Sequence, residues 1–317
     1  MSYAQNGLIE AVDINTTLAG GNPVTLSGKL NTVWATGGTN AGYGQANIAN
    51  VTVGGTVNAS TWAALVSNTA SAASHQSSSI TSVSVPVVGG TVTYNAAIPT
   101  NLTTIYTNRL NAVSQSGTTA NTATYASTWS NAITFTHTVT FASGDAARYF
   151  FNAGGQLAIT CAHPSGTGIN LLLNNLASNV GTVVLSSPTS GTATIAGTSY
   201  NGITRVGGGG NSPTISTNSG YFNLTTSNAN VYYQTASTGP AGYLSTNINM
   251  FIKSNGTQGS NGDTGSIITI YTVWDEIPNG LTVGTGSTVT VTAQAPETTY
   301  LANTWGAITI AGSVVVA

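Results

Sequence analysis

The sequence predicts a mainly β protein. An antiparallel sandwich or jelly-roll-like C-terminal region should follow a smaller α+β N-terminal region. Three observations carry this. Long stretches alternate apolar residues with threonine, the period of a half-buried strand. Gly, Asn and Ser clusters cut the chain at short intervals, as turns do in all-β folds. Only 4% of residues are charged, whereas roughly 25% is ordinary for a soluble domain. Disorder usually combines low hydrophobicity with high net charge, and this chain is 40% hydrophobic with a net charge of -2. It should fold, with a surface of Ser, Thr, Asn, Gln and Gly.

Helical signals lie in the first third. Ser60 is placed to cap a helix carrying Trp62, Leu65, Val66, Thr69 and Ala73. Val83, Val85 and Val87, then Gly89-Gly90, then Thr91 to Tyr94 read as a hairpin. After Pro99, the residues Leu102, Ile105, Tyr106, Arg109, Leu110 and Val113 recur at three- and four-residue steps, which predicts a helix over 100–115 ended by Gly117. Lys29 to Val33 faintly echoes Arg109 to Val113, too short a match to define a repeat. Residues 117–131, with Tyr125 and Trp129, read as a linker or a further helix. The chain is divided here into a smaller α+β region, 1–117, and a larger β-rich region, 118–317.

The β region opens with Ile133, Phe135, His137, Val139 and Phe141 alternating with threonines. Thr288, Thr290 and Thr292 alternate with Val289, Val291 and Ala293 in the same way. Further strands are expected at 157–162, 182–186, 192–196, 221–225, 230–234, 246–253, 266–274 and 307–316. One helix interrupts them, where Ile169, Leu172, Leu173, Leu176 and Val180 share a face.

No catalytic residue, cofactor site or metal site is assigned. The acidic residues are Glu10, Asp13, Asp145, Asp263, Asp275, Glu276 and Glu297. Asp275 and Glu276 are adjacent, so on a strand they point to opposite faces. His137 sits on an apolar strand face and reads as a core or interface histidine rather than a base, and His75 stands alone. Cys161 and His163 offer two ligands on one strand face where a metal site needs three or four. Asn261 to Gly265 lacks the further acids of a calcium loop and reads as a tight turn. Gly207 to Gly210 lacks the lysine of a phosphate loop and reads as a mobile loop tip. Tyr232, Tyr233, Tyr243, Tyr271, Trp274, Tyr300 and Trp305 lie near turns and strand ends, where core packing, a subunit interface and a sugar platform remain open.

The charge content excludes a basic stripe, so nucleic acid is not an expected partner. No run approaches the ~20 apolar residues of a membrane span, and the N-terminus carries no export signal, so synthesis and assembly in a cytoplasm are expected.

Four stretches resemble virion structural or tail-fibre-like proteins of tailed bacteriophages, including phages of cyanobacteria. They are Gly42-Tyr43-Gly44-Gln45 with the Trp-containing segment ending at His75-Gln76; Tyr149 to Leu157, preceded by the basic Arg148; Asn255 to Gly265; and Tyr300 to Gly306. The resemblance spans most of the chain. It implies a non-enzymatic virion subunit, a homo-oligomer with a trimer the expected state. Its implied partners are copies of itself, other virion proteins, and a host-surface glycan or protein. The alternatives are a capsid decoration, cement or collar protein, and, from other classes, a polysaccharide-degrading spike or a bacterial surface adhesin.

Overall fold

The computed structural model describes residues 26–49, 51, 58–85, 95–188, 191–217, 219–258 and 262–317. Glu10, Asp13, Asn261 and residues 86–94 of the expected hairpin lie outside them. Three helices come first: α1 (Leu26–Trp34), α2 (Ala59–His75) and α3 (Ala97–Thr107). Strands β1 (Gln115–Tyr125) and β2 (Ile133–Thr140) follow, then α4 (Gly144–Asn152), β3 (Gln156–Ala162) and α5 (Ile169–Val180). Next come β4 (Thr182–Leu185), β5 (Ala193–Ile195), β6 (Thr198–Tyr200), β7 (Ile203–Val206) and β8 (Thr214–Ile215). The last strands are β9 (Ala229–Thr235), β10 (Asn247–Ser254), β11 (Ile267–Asp275), β12 (Ser287–Pro296) and β13 (Thr309–Val316).

Two antiparallel sheets form the body. One has the order β1-β12-β3-β4-β7, the other β13-β2-β11-β10-β9-β8, while β5 and β6 pair separately. The alternation drives the layering. Ile133, Phe135, His137 and Val139 of β2 point inward with Ile268, Ile270, Thr272 and Trp274 of β11 and Ile248, Met250 and Ile252 of β10. Val289, Val291 and Ala293 of β12 and Leu157 and Ile159 of β3 also lie in the buried core. Burying each large apolar side chain contributes about 1.5–3 kcal/mol. The outer positions are polar: Thr122, Thr290, Thr160 and Thr182 stand side by side across four strands.

The first two strands pair with late ones, β1 with β12 and β2 with both β11 and β13. That wrapping rolls the chain into a sandwich. Residue 117 falls within β1, and one buried core runs from Leu26 in α1 to Trp305.

The structure differs from several local expectations. Asn58, not Ser60, caps α2, its Oδ1 accepting from Thr61 N at 2.9 Å. The helix over 100–115 begins earlier and stops at Thr107, because Asn108 leaves helical geometry (φ -95, ψ 13) and tertiary bonds take over beyond it. Arg109 Nε there donates to Asn40 O at 2.9 Å, and Val113 N to His75 O at 2.6 Å. Of 117–131, the first part is strand β1, neither linker nor helix. The expected strand at 221–225 is a short 3-10 turn, because Asn223 Oδ1 accepts from Gly220 N at 2.9 Å and folds the chain back. Buried Tyr221 then stacks on Phe151, centroids 4.2 Å apart. The echo is not structural: Lys29 to Val33 is helical and Arg109 to Val113 is not. Neither α1 nor α4 was foreseen as a helix. In α4, Ser143 accepts from Ala146 N and Asp145 sits in the first turn, a favourable place for a negative charge.

Candidate functional site

The four stretches singled out in the sequence converge on one seam between the helices and the sandwich, and Arg148 is at its centre. Arg148 is completely buried. Its Nη1 donates to Ala41 O at 2.9 Å, while Nη2 and Nε donate to Asp145 Oδ1 at 2.9 and 3.2 Å. One turn on, Asn152 Nδ2 donates to Gly42 O at 3.0 Å. Gln45 exchanges two bonds with the Ala302 backbone, at 2.9 and 3.0 Å, and Thr304 Oγ1 donates to Tyr43 O at 2.5 Å. The 255–265 stretch closes the ring. Gly262 N donates weakly to Asp145 Oδ1 at 3.4 Å, and Gly144 lies so close to the Asp263 carbonyl that no Cβ fits between them. Gly44 likewise lies under the Tyr149 ring, where a Cβ would clash. Residues of the four stretches thus lock loops onto α4.

A second node ties α2 to the end of β12. His75 Nε2 donates to Ala153 O at 3.1 Å, and Nδ1 faces Glu297 Oε1 at 3.9 Å. Burial pushes the imidazole down to about 4, against the pull of the Glu297 charge. Beside it, Gln76 Nε2 donates to the Tyr43 hydroxyl at 2.8 Å and to Ile105 O at 2.9 Å, and that hydroxyl donates to Arg109 O at 2.8 Å. Sequence spacing held no sign that His75 and Glu297 meet, because they are distant in the chain.

The third node superficially has the composition of a hydrolytic centre. Ser287 Oγ lies 2.9 Å from His163 Nδ1, and His163 Nε2 lies 3.2 Å from Asn170 Oδ1. Trp129 Nε1, which can only donate, gives its proton to Ser287 Oγ at 3.1 Å. Asn170 Oδ1, which accepts from Gly284 N at 2.7 Å, can only accept from Nε2–H as well, so Nδ1 of the neutral ring accepts from the Ser287 hydroxyl. Ser287 and His163 are 0% and 4% exposed, so no substrate reaches the hydroxyl. The row joins β3, β12, α5 and the Trp129 segment. Burial lowers the His163 pKa, in keeping with the neutral ring this pattern needs.

The remaining candidates disperse. His137 is in the core, facing Asn121 of β1, and burial lowers its pKa. Burial also pushes the Cys161 thiol up to about 12, with Trp274 beside it, which disfavours a thiolate ligand. Among the described residues no group of three or more His, Cys, Asp and Glu is placed to hold a metal, and no helix is long and apolar enough to cross a membrane. Asp275 Oδ1 accepts from Glu276 N at the end of β11. The glycine loop is not a free tip. Arg205 Nη2 donates to Asn179 O and Gly209 O, and Gln234 Nε2 donates to Gly209 O at 2.8 Å. The aromatic set forms no single platform, because Tyr232, Trp274 and Trp305 are core residues and Tyr300 is exposed. A groove of about 430 Å³ lies between α2, residues 78–83 and the start of α3, lined by Leu65, Val66, Ile80 and Ile98 among small polar residues.

The sandwich ends in open strands. β1 exposes Ser116 to Ala120 in an unbroken run, and β13 is exposed or half-exposed throughout, with Val315 at 66%. Neither strand holds a charged residue or a proline, the usual guards of a sheet edge. Comparison with protein-family models, curated proteins and solved structures found no match.

Proposed function

We propose that this chain is a structural protein of a bacteriophage particle, a subunit of a tail-associated fibre or appendage that assembles with copies of itself and touches the host surface. The observation that carries the proposal is a folded antiparallel sandwich with a nearly uncharged exterior and unguarded strand edges. Outer rows such as Thr122, Thr290, Thr160 and Thr182 offer hydroxyls in place of charges. With 12 ionisable Lys, Arg, Asp and Glu residues in total (5 + 7), self-repulsion is small and copies pack side by side at high local density. The sequence resemblance supplies the setting, and the motif residues that carry it are spent on the internal seam around Arg148. Host contact therefore falls to outer faces and loops, where weak individual grips add through avidity.

Immunogold electron microscopy of intact particles with an antibody to residues 131–317 tests the reading. Gold on the tail or on projecting fibres is the expected result. Even gold over the head moves the protein to capsid decoration, and no gold on purified particles overturns the virion assignment.

A further inference from the structure

We infer that β13 is a self-pairing edge, along which two copies of this chain join antiparallel about a two-fold axis at Ser313. The inference deepens the assembly reading above and rests on it for its biological setting.

The phase of β13 is fixed by its bonding to β2. Thr309 to Val316 pairs with Thr140 to Ile133, and Ala317 N donates to Ala132 O at 3.1 Å. Bonding alternates along an antiparallel pair. Thr309, Ala311, Ser313 and Val315 therefore turn their backbone groups toward β2. Ile310, Gly312, Val314 and Val316 turn theirs to the open edge. Four residues thus offer N–H and C=O groups to an incoming strand.

The occupant that fits is the same strand. From residue 298 to 317 there is no Lys, Arg, Asp, Glu or Pro, so a symmetric contact brings no like charges together and loses no donor. With the axis at Ser313, Gly312 bonds to the partner strand's position 314 and Ile310 to its position 316, which engages every outward backbone group. On the outer face, Ala311 then lies across from position 315 of the copy. The smallest residues thus meet valines, and Val315, 66% exposed, gains cover. The inner face cannot widen instead, because Gly312 already abuts Asn121 and Ala123 of β1. The contact is isologous and makes pairs, so a trimer would need a second, heterologous surface.

Cysteine cross-linking reads the register. Across a non-hydrogen-bonded antiparallel pair the Cα atoms are about 4.5 Å apart, within disulfide reach. Mild oxidation of the purified Ser313→Cys protein should give a covalent dimer at least tenfold faster than Ala311→Cys. The two 311 positions would be about 13 Å apart, four residues out of register. The unsubstituted protein, with Cys161 alone, should give none. In sedimentation the unsubstituted protein should dimerise, and Val315→Lys should weaken the dimer at least tenfold with an unchanged melting curve. Equal cross-linking at 311 and 313 overturns the register. A folded Ser313→Cys protein that stays monomeric, with an unsubstituted protein that never dimerises, overturns the self-pairing. Labelling of particles by gold is a separate result, so a chain that is in the virion but does not pair through β13 is told apart from one that is not in the virion.

Discussion

Replacing Arg148 with methionine keeps the side chain's length and removes its charge and donors. Ala41 O would then be a buried acceptor without its partner, which costs about 1–3 kcal/mol. Asp145 loses two bonds, but its side chain is 30% exposed and water can replace part of them, so about 1 kcal/mol is added there. The expected loss is about 3 kcal/mol, and Tm should fall by about 6 °C at the low sensitivity of a large chain. Arg148→Lys should fall between, because one ammonium cannot span Ala41 O and Asp145 with the same fork. Chemical denaturation followed by circular dichroism reads both. Buried ion pairs are sometimes replaced by apolar groups at no cost. If Arg148→Met loses less than 1 kcal/mol, the seam is held by packing alone, and the reasoning from its hydrogen bonds is wrong.

His75 sets a pH dependence. Its folded value of about 4 lies below the ordinary 6.5, so the folded state favours the neutral ring. The stabilisation is complete above pH 6.5 and is lost as pH falls toward 4, by about 3 kcal/mol in full. His75→Gln, which still donates to Ala153 O, should make the stability profile shallower between pH 6.5 and 4, leaving the slope that His137 and His163 contribute; an unchanged slope would place the titration elsewhere. Ser287→Ala should cost about 2 kcal/mol, because Trp129 Nε1 and His163 Nδ1 lose their shared partner. The loss in Ser287→Ala/Asn170→Ala should fall short of the sum of the two single losses, because both act on His163; a sum met within about 0.5 kcal/mol would show that the row is not coupled. With so few charges, Tm should move by less than about 2 °C between 0.05 and 0.5 M sodium chloride; a larger shift would reveal a charge network absent from the described residues.

Sequence pattern carried the sandwich where one face is buried and the other is not. β2, β11 and β12 alternate cleanly, and α5 shows its apolar face at helical spacing. β1 escaped because an edge strand with little to bury keeps no apolar alternation: of its residues only Ala123 is buried. α4 buries Arg148 and Asn152 beside Phe150 and Phe151, so polar residues stand at core positions, and it is defined by its Ser143 cap and its tertiary bonds. The apolar spacing beyond Thr107 mimicked a longer helix, yet Arg109 is pulled away by Asn40. Several site residues, such as His75, His163, Arg148 and Glu297, were visible singly, whereas Ser287 and Asn170 were not, because one serine and one asparagine among many carry no spacing signal. His163 meets Ser287 through the pairing of β3 with β12, and His75 meets Glu297 where the end of α2 packs against the end of β12; spacing encodes neither.

The partnership of β1 with β12 sets a timetable. Thr122 and Thr290, joined across those strands at 2.7 Å, are 168 residues apart in the chain. At about 5–20 residues per second, synthesis separates them by roughly 10–30 s. Through that interval β1 and β2 wait without their pairing strands, and neither sheet can close while the ribosome still holds β11 to β13. Helices α1 to α3 can gather early from local contacts, but the sandwich is a late event of high contact order. Its Thr- and Ser-rich outer positions then have a second value: they keep waiting strands soluble until the last partner emerges.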